Sequence, residues 1–326
     1  MKNKILRSLA AVVLLSTFNS QLSTAHAQGL LTPPGAPAPT MKTLAQIEPR
    51  TPISSLPYTV SQPGSYYFTT NLTETVIGGG ILIISGNVTL DLNGFTLAGV
   101  NSDKTNGITI SGSLANITVR NGSISGWGGA GVDGYLFAPN SINELFEHLS
   151  VSGNNGNGIS ASHGSLIHDC LSFGNVAGGA SGGGLVTYGG VIRDCVSRGN
   201  SYYGILVLPG LVTGCLVQNN LRSGIYVDQP NSTITQNTCT GNDTGLFANQ
   251  AGIYINDSNN CIEGNTVAAN LGAGIQVNSP TYVNNVVIKN VVSGSSPNNY
   301  LGTASNDFGP VGTAATSTSP WGNISH

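Results

Sequence analysis

Apolar and polar positions along the chain alternate in short runs and repeat at long range. The phrase LFEHLSVSGN (Leu145–Asn154) recurs as LIHDCLSFGN (Leu166–Asn175), VIRDCVSRGN (Val191–Asn200) and LVTGCLVQNN (Leu211–Asn220). It continues as TITQNTCTGN (Thr233–Asn242) and CIEGNTVAAN (Cys261–Asn270). The closing asparagines are separated by 21, 25, 20, 22 and 28 residues, a period with variable insertions that marks a solenoid. A second phrase follows each asparagine: Gly158 and Ile159, Gly184 and Leu185, Gly204 and Ile205, Gly224 and Ile225, Gly252 and Ile253, Gly274 and Ile275. Each glycine opens a run in which alternate residues are apolar, as in Ile225 and Val227 against Tyr226 and Asp228. Period two predicts strands, and the runs are too short for helices. Each repeat is therefore a few strands joined by turns. Repeats of this size stack as coils of a parallel β-helix, about 4.8 Å per coil. Its narrow core is expected from Ile159, Leu185, Ile205, Ile225, Ile253 and Ile275 with Val207, Val227, Ile255 and Val277.

Stacking puts residues of one repeat position in a column. Cys170, Cys195 and Cys215 share a column with Leu149, Asn237 and Asn265. A column that takes Leu, Cys or Asn is expected to be an inward turn position, with asparagine amides bonding one another and thiols acting as small apolar fillers. A metal site and disulfides are the alternatives. The first lacks a CxxC or a histidine pair, and the second starts from an odd count of five cysteines. The expectation is free, packed thiols and no cofactor or metal.

Composition narrows the class. The chain has 326 residues, only 8% charged, with a net charge of −3, so it offers no basic footprint for nucleic acid. Its 45 glycines follow no collagen period and serve turns. Lys2, Lys4 and Arg7, then the apolar Leu9–Phe18, then AHA at Ala25–Ala27 read in order as a signal peptide cleaved after Ala27. The expected localisation is secreted or periplasmic, with no membrane span. Residues 28–57 read as a proline-rich linker with a cap candidate at Met41–Ile47, residues 58–300 as the β-helix, and residues 301–326 as a Ser/Thr/Gly-rich tail. The fold class is all-β: a parallel β-helix solenoid with a short N-terminal cap.

NVTLDLNGFTLAG (Asn87–Gly99), NITVRNGSISGWG (Asn116–Gly128) and the repeated glycine–isoleucine phrase resemble the right-handed parallel β-helix, or pectin-lyase-like, superfamily over roughly residues 58–295. MKTLAQIEPRTPIS (Met41–Ser54) is similar to its exported bacterial members without assigned activity. The resemblance implies a right-handed helix and a groove for uronic-acid polymers along the sheet opened by the glycines. Polygalacturonase-like members place acids directly before that glycine and two residues after it. Those positions hold Asn157, Gly183, Tyr203, Ser223, Ala251 and Ala273, then Ser160, Val186, Leu206, Tyr226, Tyr254 and Gln276, so the columns are expected to lack carboxylates.

Two side-chain groups remain as candidates. Tyr226 and Tyr254 are expected to point outward on neighbouring coils, with Asp228 and Asp257 at the following turns about one coil apart. Rings beside acids can hold sugars by stacking and hydroxyl bonding. The structural alternative is tyrosines packed under the insertion Asp243–Ala251. Asp169, Asp194, His168 and Arg193 form the second group, read as a solvated ladder with Glu147, Thr213, Thr235, Glu263 and Lys289 in the outward column. The functional expectation is an exported, non-catalytic protein with a polysaccharide as partner. The rivals are a lyase or hydrolase using Asp228 and Asp257, and a purely structural extracellular protein. The pattern carries no information on oligomeric state.

Overall fold

The computed structural model describes residues 48–75, 78–100, 104–135, 140–176 and 182–326. The chain divides into Met1–Glu48, of which only Glu48 is described, and Pro49–His326. The expected signal peptide and the cap candidate Met41–Ile47 lie outside the described residues.

Among the described residues every regular element is a strand, and every pairing is parallel. One coil shows the plan. Tyr203–Val207 lies in an eleven-stranded sheet, here the small sheet. The chain turns at Leu208 and Pro209 into Gly210–Thr213, bends at Gly214 into Leu216–Gln218, bends again at Asn219, and returns to the small sheet at Ile225–Val227. Gly210–Thr213 and Leu216–Gln218 belong to a 22-stranded set, the large sheet, which folds over the Gly214 corner. Adjacent coils keep register: Ile205 pairs with Ile225 and Ile225 with Ile253. That register stacks the expected aliphatic stripe, whose ten members are all at most 2% exposed. Each such side chain contributes roughly 1.5–3 kcal/mol by burial.

The bends have a common cause. His148, Asp169, Asp194, Gly214, Gln236, Gly264 and Lys289 are left-handed, with φ between 52° and 66°. One left-handed residue reverses the pleat for a single position, so the next side chain points inward at the corner. Those next residues are Leu149, Cys170, Cys195, Cys215, Asn237, Asn265 and Asn290, all buried. A second corner repeats the device. Gly153, Gly174, Gly199, Asn219, Gly241 and Ala269 have positive φ, and the asparagines that close each phrase follow them. There the Nδ2 of Asn154 donates to Oδ1 of Asn175 at 2.9 Å. The chain continues through Asn200, Asn220, Asn242 and Asn270 at 2.9–3.1 Å. The repeat spacing of the sequence is thus the spacing of one hydrogen-bonded ladder.

Both ends of the solenoid extend past the expected boundaries. Thr51–Ile53, inside the segment read as linker, pairs with Tyr66–Phe68, and Ile53 is fully buried. Pro52 is tolerated because this strand lies at the end of the stack. At the other end Asp307–Phe308 pairs with Val286 and Val287, and Asn323–Ser325 with Val291 and Val292. The tail lost its period through insertions, yet Asn323 keeps a ladder place and accepts from Asn290 Nδ2 at 3.2 Å.

Candidate functional site

The outward column of the small sheet runs through Thr109, Asp133, Ser160, Val186, Leu206, Tyr226, Tyr254 and Gln276. Its character changes along the axis, polar at one end and aromatic towards the other.

At the aromatic end Tyr226 stacks on Tyr254 with ring centroids 5.3 Å apart and planes 9° apart, and on Tyr203 at 4.2 Å and 14°. Tyr202 meets Tyr203 edge-on, and the Arg222 guanidinium lies between the rings of Tyr202 and Phe247, 4.1 and 4.5 Å from their centroids. The tyrosines point away from the main core, as expected, but they are not an open platform. Tyr254 and Tyr203 are 3% and 4% exposed, and only Tyr226 is half-buried. In-register parallel strands set outward side chains one coil apart, and at that separation flat rings stack on each other. Ring faces are used up between coils, so edges and hydroxyls are what a ligand meets. Burial raises the Tyr203 hydroxyl to about 12, with Tyr202 adding, and raises Tyr226 and Tyr254 as well. All three stay protonated donors.

Asp228 and Asp257 are not a matched pair. The in-register neighbours of Asp228 are Asn256 and Asn278, following Val227, Ile255 and Val277. Asn256 Nδ2 donates to Asp228 Oδ1 at 2.7 Å, and Asn278 Nδ2 to Asn256 Oδ1 at 2.8 Å. Asp257 lies one residue further on and accepts the Ser258 amide of its own turn at 2.7 Å. An acid–amide–amide strip therefore flanks the tyrosines.

The polar end holds an acid that the repeated phrase did not predict. Asp133 occupies the position two after Gly131 and is 4% exposed. The Nδ2 of Asn106 donates to its Oδ2 at 3.2 Å and to Thr109 Oγ1 at 3.2 Å, and Asn157 Nδ2 donates to Ser160 Oγ at 2.8 Å. The expectation of an acid-free column held only for the coils from Asn157 onward. The signal was present one coil earlier as Gly131, Val132 and Asp133, the same phrase with valine for isoleucine. Next to this end a cavity of about 370 Å³ is lined by Lys104, Asn106, Thr109, Ser111 and Leu82 among others. Tyr188 stacks on Tyr135, and burial, Tyr135 and Asp133 together lift its hydroxyl to about 12.

Behind Asp133 lies Glu144, 1% exposed and on the inner side of a corner. Its Oε2 accepts the Ser162 amide at 2.8 Å, while its Oε1 is buried with no hydrogen-bond partner. Burial, with Asp133 adding, pushes its carboxyl up to about 7. Glu144 is too enclosed to reach a ligand on the outer face.

The second expected group is a ladder on the large sheet. Arg120 bonds Asp91 at 3.2 Å and approaches Glu147 at 3.7 Å, and His168 bonds Glu147 at 3.2 Å and Asp169 at 2.7 Å. Arg193 pairs with its chain neighbour Asp194 at 2.6 Å. The hydrogen bond from His168 holds the exposed Asp169 carboxyl below its usual range. The column member after Glu263 is Ile288, not Lys289. Lys289 takes the left-handed corner and reaches back to Glu263 at 2.7 Å. The five cysteines are free, with Cys261 half-exposed and the rest buried. Among the described residues no three His, Cys, Asp or Glu side chains converge as a cation site. No described helix is long and apolar enough to cross a membrane.

These features define the class. The chain is a parallel β-helix, and residues 189–299 match the family model for a right handed beta helix region. Solved structures of the same fold extend the likeness over most of the chain. The A-module of mannuronan C-5 epimerase AlgE6 from Azotobacter vinelandii is 15% identical with a TM-score of 0.57, covering 85% of this chain and 90% of that one. The alginate lyase of Paenibacillus sp. str. FPU-7 is 12% identical with a TM-score of 0.53, covering 77% and 99%. The Dettilon tailspike protein is 13% identical with a TM-score of 0.58, and the match takes in 84% of this chain but only 60% of the tailspike. At such identities the likeness speaks for the fold. Comparison with curated proteins by sequence gave no match.

Proposed function

We propose that this protein is exported and holds a neutral polysaccharide along the outer face of the small sheet without cleaving it. The observation that carries this reading is that hydrogen-bonding side chains cluster at both ends of the outward column, on either side of the apolar Val186 and Leu206. The Asn106, Thr109 and Asp133 cluster stands at one end, and the Asp228, Asn256 and Asn278 strip beside protonated tyrosines at the other. A linear glycan repeats its hydroxyls along its length and suits such a strip. No Lys or Arg stands in the column from Thr109 to Gln276, which disfavours polyuronates. Export rests on the order of charged, apolar and A-x-A segments before Gln28. Similar structures that are by name an alginate lyase and an α-1,3-glucanase support a polysaccharide partner in general, not the choice of a neutral one. The test is a binding screen over neutral and acidic polysaccharides, followed by Tyr226→Ala. The expected result is affinity for a neutral polymer, reduced roughly tenfold or more by the substitution. Binding confined to polyuronates overturns the reading.

One observation favours a second reading, polysaccharide cleavage. Asp133 occupies a position where polygalacturonase-like relatives place an acid. Hydrolysis normally requires two carboxyl groups across the bond, and Glu144, its nearest acidic companion, is sealed behind it. Release of reducing or unsaturated ends that disappears in Asp133→Asn establishes this second reading and removes the first.

A further inference from the structure

The insertion Asp243–Gln250 builds a second cavity beside the last tyrosine. It measures about 360 Å³ and lies between this loop, Leu271 and the segment around Pro297. Of thirteen large apolar side chains exposed among the described residues, four line it: Leu246 at 71%, Leu271 at 49%, Phe247 at 41% and Leu301 at 39%. That concentration is not the scatter of an ordinary surface. The walls are pre-ordered. Asp243 Oδ1 accepts the Phe247 amide at 3.0 Å, the Gly245 amide donates to Leu221 O at 3.0 Å, and Arg222 packs on the Phe247 ring. A preformed wall lowers the ordering cost of binding.

The cavity also has a polar side. Gln276, the outward neighbour of Tyr254, is 6% exposed and lines the cavity, and its amide makes no hydrogen bond to the described protein. Gln250 has its Oε1 held by Ser223 N and Oγ at 3.0 and 2.8 Å, and its amide nitrogen donates to no described group. Neither amide has a buried unpaired atom, so their free polar atoms stay open to the cavity and can bond the hydroxyls of a ligand. Asp243 lines the cavity and no Lys or Arg does, which excludes an anionic ligand.

We propose that this cavity is a subsite for one neutral sugar unit with an apolar edge, such as a 6-deoxyhexose presents. The leucines and Phe247 take the methyl and C–H edge, and the two glutamine amides take the hydroxyls. The cavity continues the outward column through Gln276 and Leu301, so it lies at the end of the glycan path. The inference rests on the reading of that face as a glycan site.

The experiment titrates the full chain with methyl fucoside, methyl galactoside and galacturonic acid, followed by NMR. The expected order is methyl fucoside about tenfold tighter than methyl galactoside, the size of one methyl group in an apolar pocket, and galacturonic acid not bound. Gln276→Leu and Leu271→Ser should each weaken methyl fucoside at least fivefold. Leu271 is exposed, so its substitution leaves folding intact and guards against a misfolded Gln276 variant. Equal affinity for all three sugars, no binding of any, or fucoside binding that survives both substitutions overturns the proposal. So does preference for an apolar peptide such as acetyl-dileucine amide over the fucoside, which makes the cavity a protein contact. If a polysaccharide binds and is lost in Tyr226→Ala but untouched by the two cavity substitutions, the subsite falls while the glycan face stands. If no polysaccharide binds the protein, the glycan face falls instead.

Discussion

The first corner of the coil is built from two chemistries on one backbone. In one half Cys170, Cys195 and Cys215 follow the left-handed residue, and in the other Asn237, Asn265 and Asn290 do. In the asparagine half each backbone amide donates to Oδ1 one coil on, as Asn237 N does to Asn265 at 2.9 Å. Each Nδ2 reaches back to a carbonyl of the previous coil, Asn237 to Val212 O at 3.0 Å and Asn265 to Ile234 O at 2.9 Å. The cysteine half repeats this arrangement with sulfur. Where the two halves meet, the Cys215 amide donates to Asn237 Oδ1 at 2.9 Å. The thiols reach back to Phe146, Ile167 and Ile192 carbonyls at 3.5, 3.7 and 3.8 Å. The thiol is a weaker donor and acceptor, but it keeps the same partners and is small enough for the same space. The three cysteines are thus ladder rungs. The corner takes an inward apolar side chain such as Leu149, but a side chain that both accepts and donates links neighbouring coils, and the amide does so more strongly.

The sharpest way to break this comparison is Asn265→Ala. It leaves the Asn237 amide and side chain without their acceptor and removes Asn265's own donor, so equilibrium unfolding in urea should show a loss of about 3–5 kcal/mol. The third corner offers a rung that fits badly. Glu144 faces inward there, whereas Asn260 and Asn285 hold the place further on with amides bonded at 3.1 Å. Its folded pKa of about 7 lies above the ordinary 4.5. Between those values the folded chain keeps a proton that the unfolded chain has released. Stability is full below about pH 4.5 and declines as pH rises to about 7, by about 3 kcal/mol in all. Glu144→Gln should abolish that decline, leaving stability near pH 4 unchanged and raising it by about 3 kcal/mol at pH 8. Cys195→Ala, scored by the same unfolding curves, should cost only about 1–2 kcal/mol, since weak sulfur bonds and a small volume are lost. Smallest of all, Cys215→Asn extends the amide ladder by one rung towards Asn237 and should change stability by less than about 1 kcal/mol.

The coil itself was legible because inward positions repeat at a fixed place in each phrase, and the spacings of the closing asparagines are those of the bonded ladder. The cysteine column was legible for the same reason, since Leu149 and Asn237 stand in it. The site was less so. Tyr226 and Tyr254 were rightly placed outward, but alternation cannot tell whether rings present faces or stack. That is decided by coil spacing together with Tyr203, which stands in the column directly before the glycines. Asp228 and Asp257 looked equivalent by their distance from the tyrosines, yet strand register pairs Asp228 with Asn256. Asp133 was missed where valine replaces isoleucine in the phrase. The cavity at Gln276 depends on a loop whose path no repeat encodes.

The most direct test of the glycan face is hydroxyl-radical footprinting read by mass spectrometry, with and without the neutral polysaccharide that binds best in the screen. Tyr226 is half-buried on the small sheet, and Tyr67 is half-buried on the large one. The polymer should lower oxidation of Tyr226 several-fold and leave Tyr67 unchanged. Protection of Tyr67 with Tyr226 unaffected contradicts it.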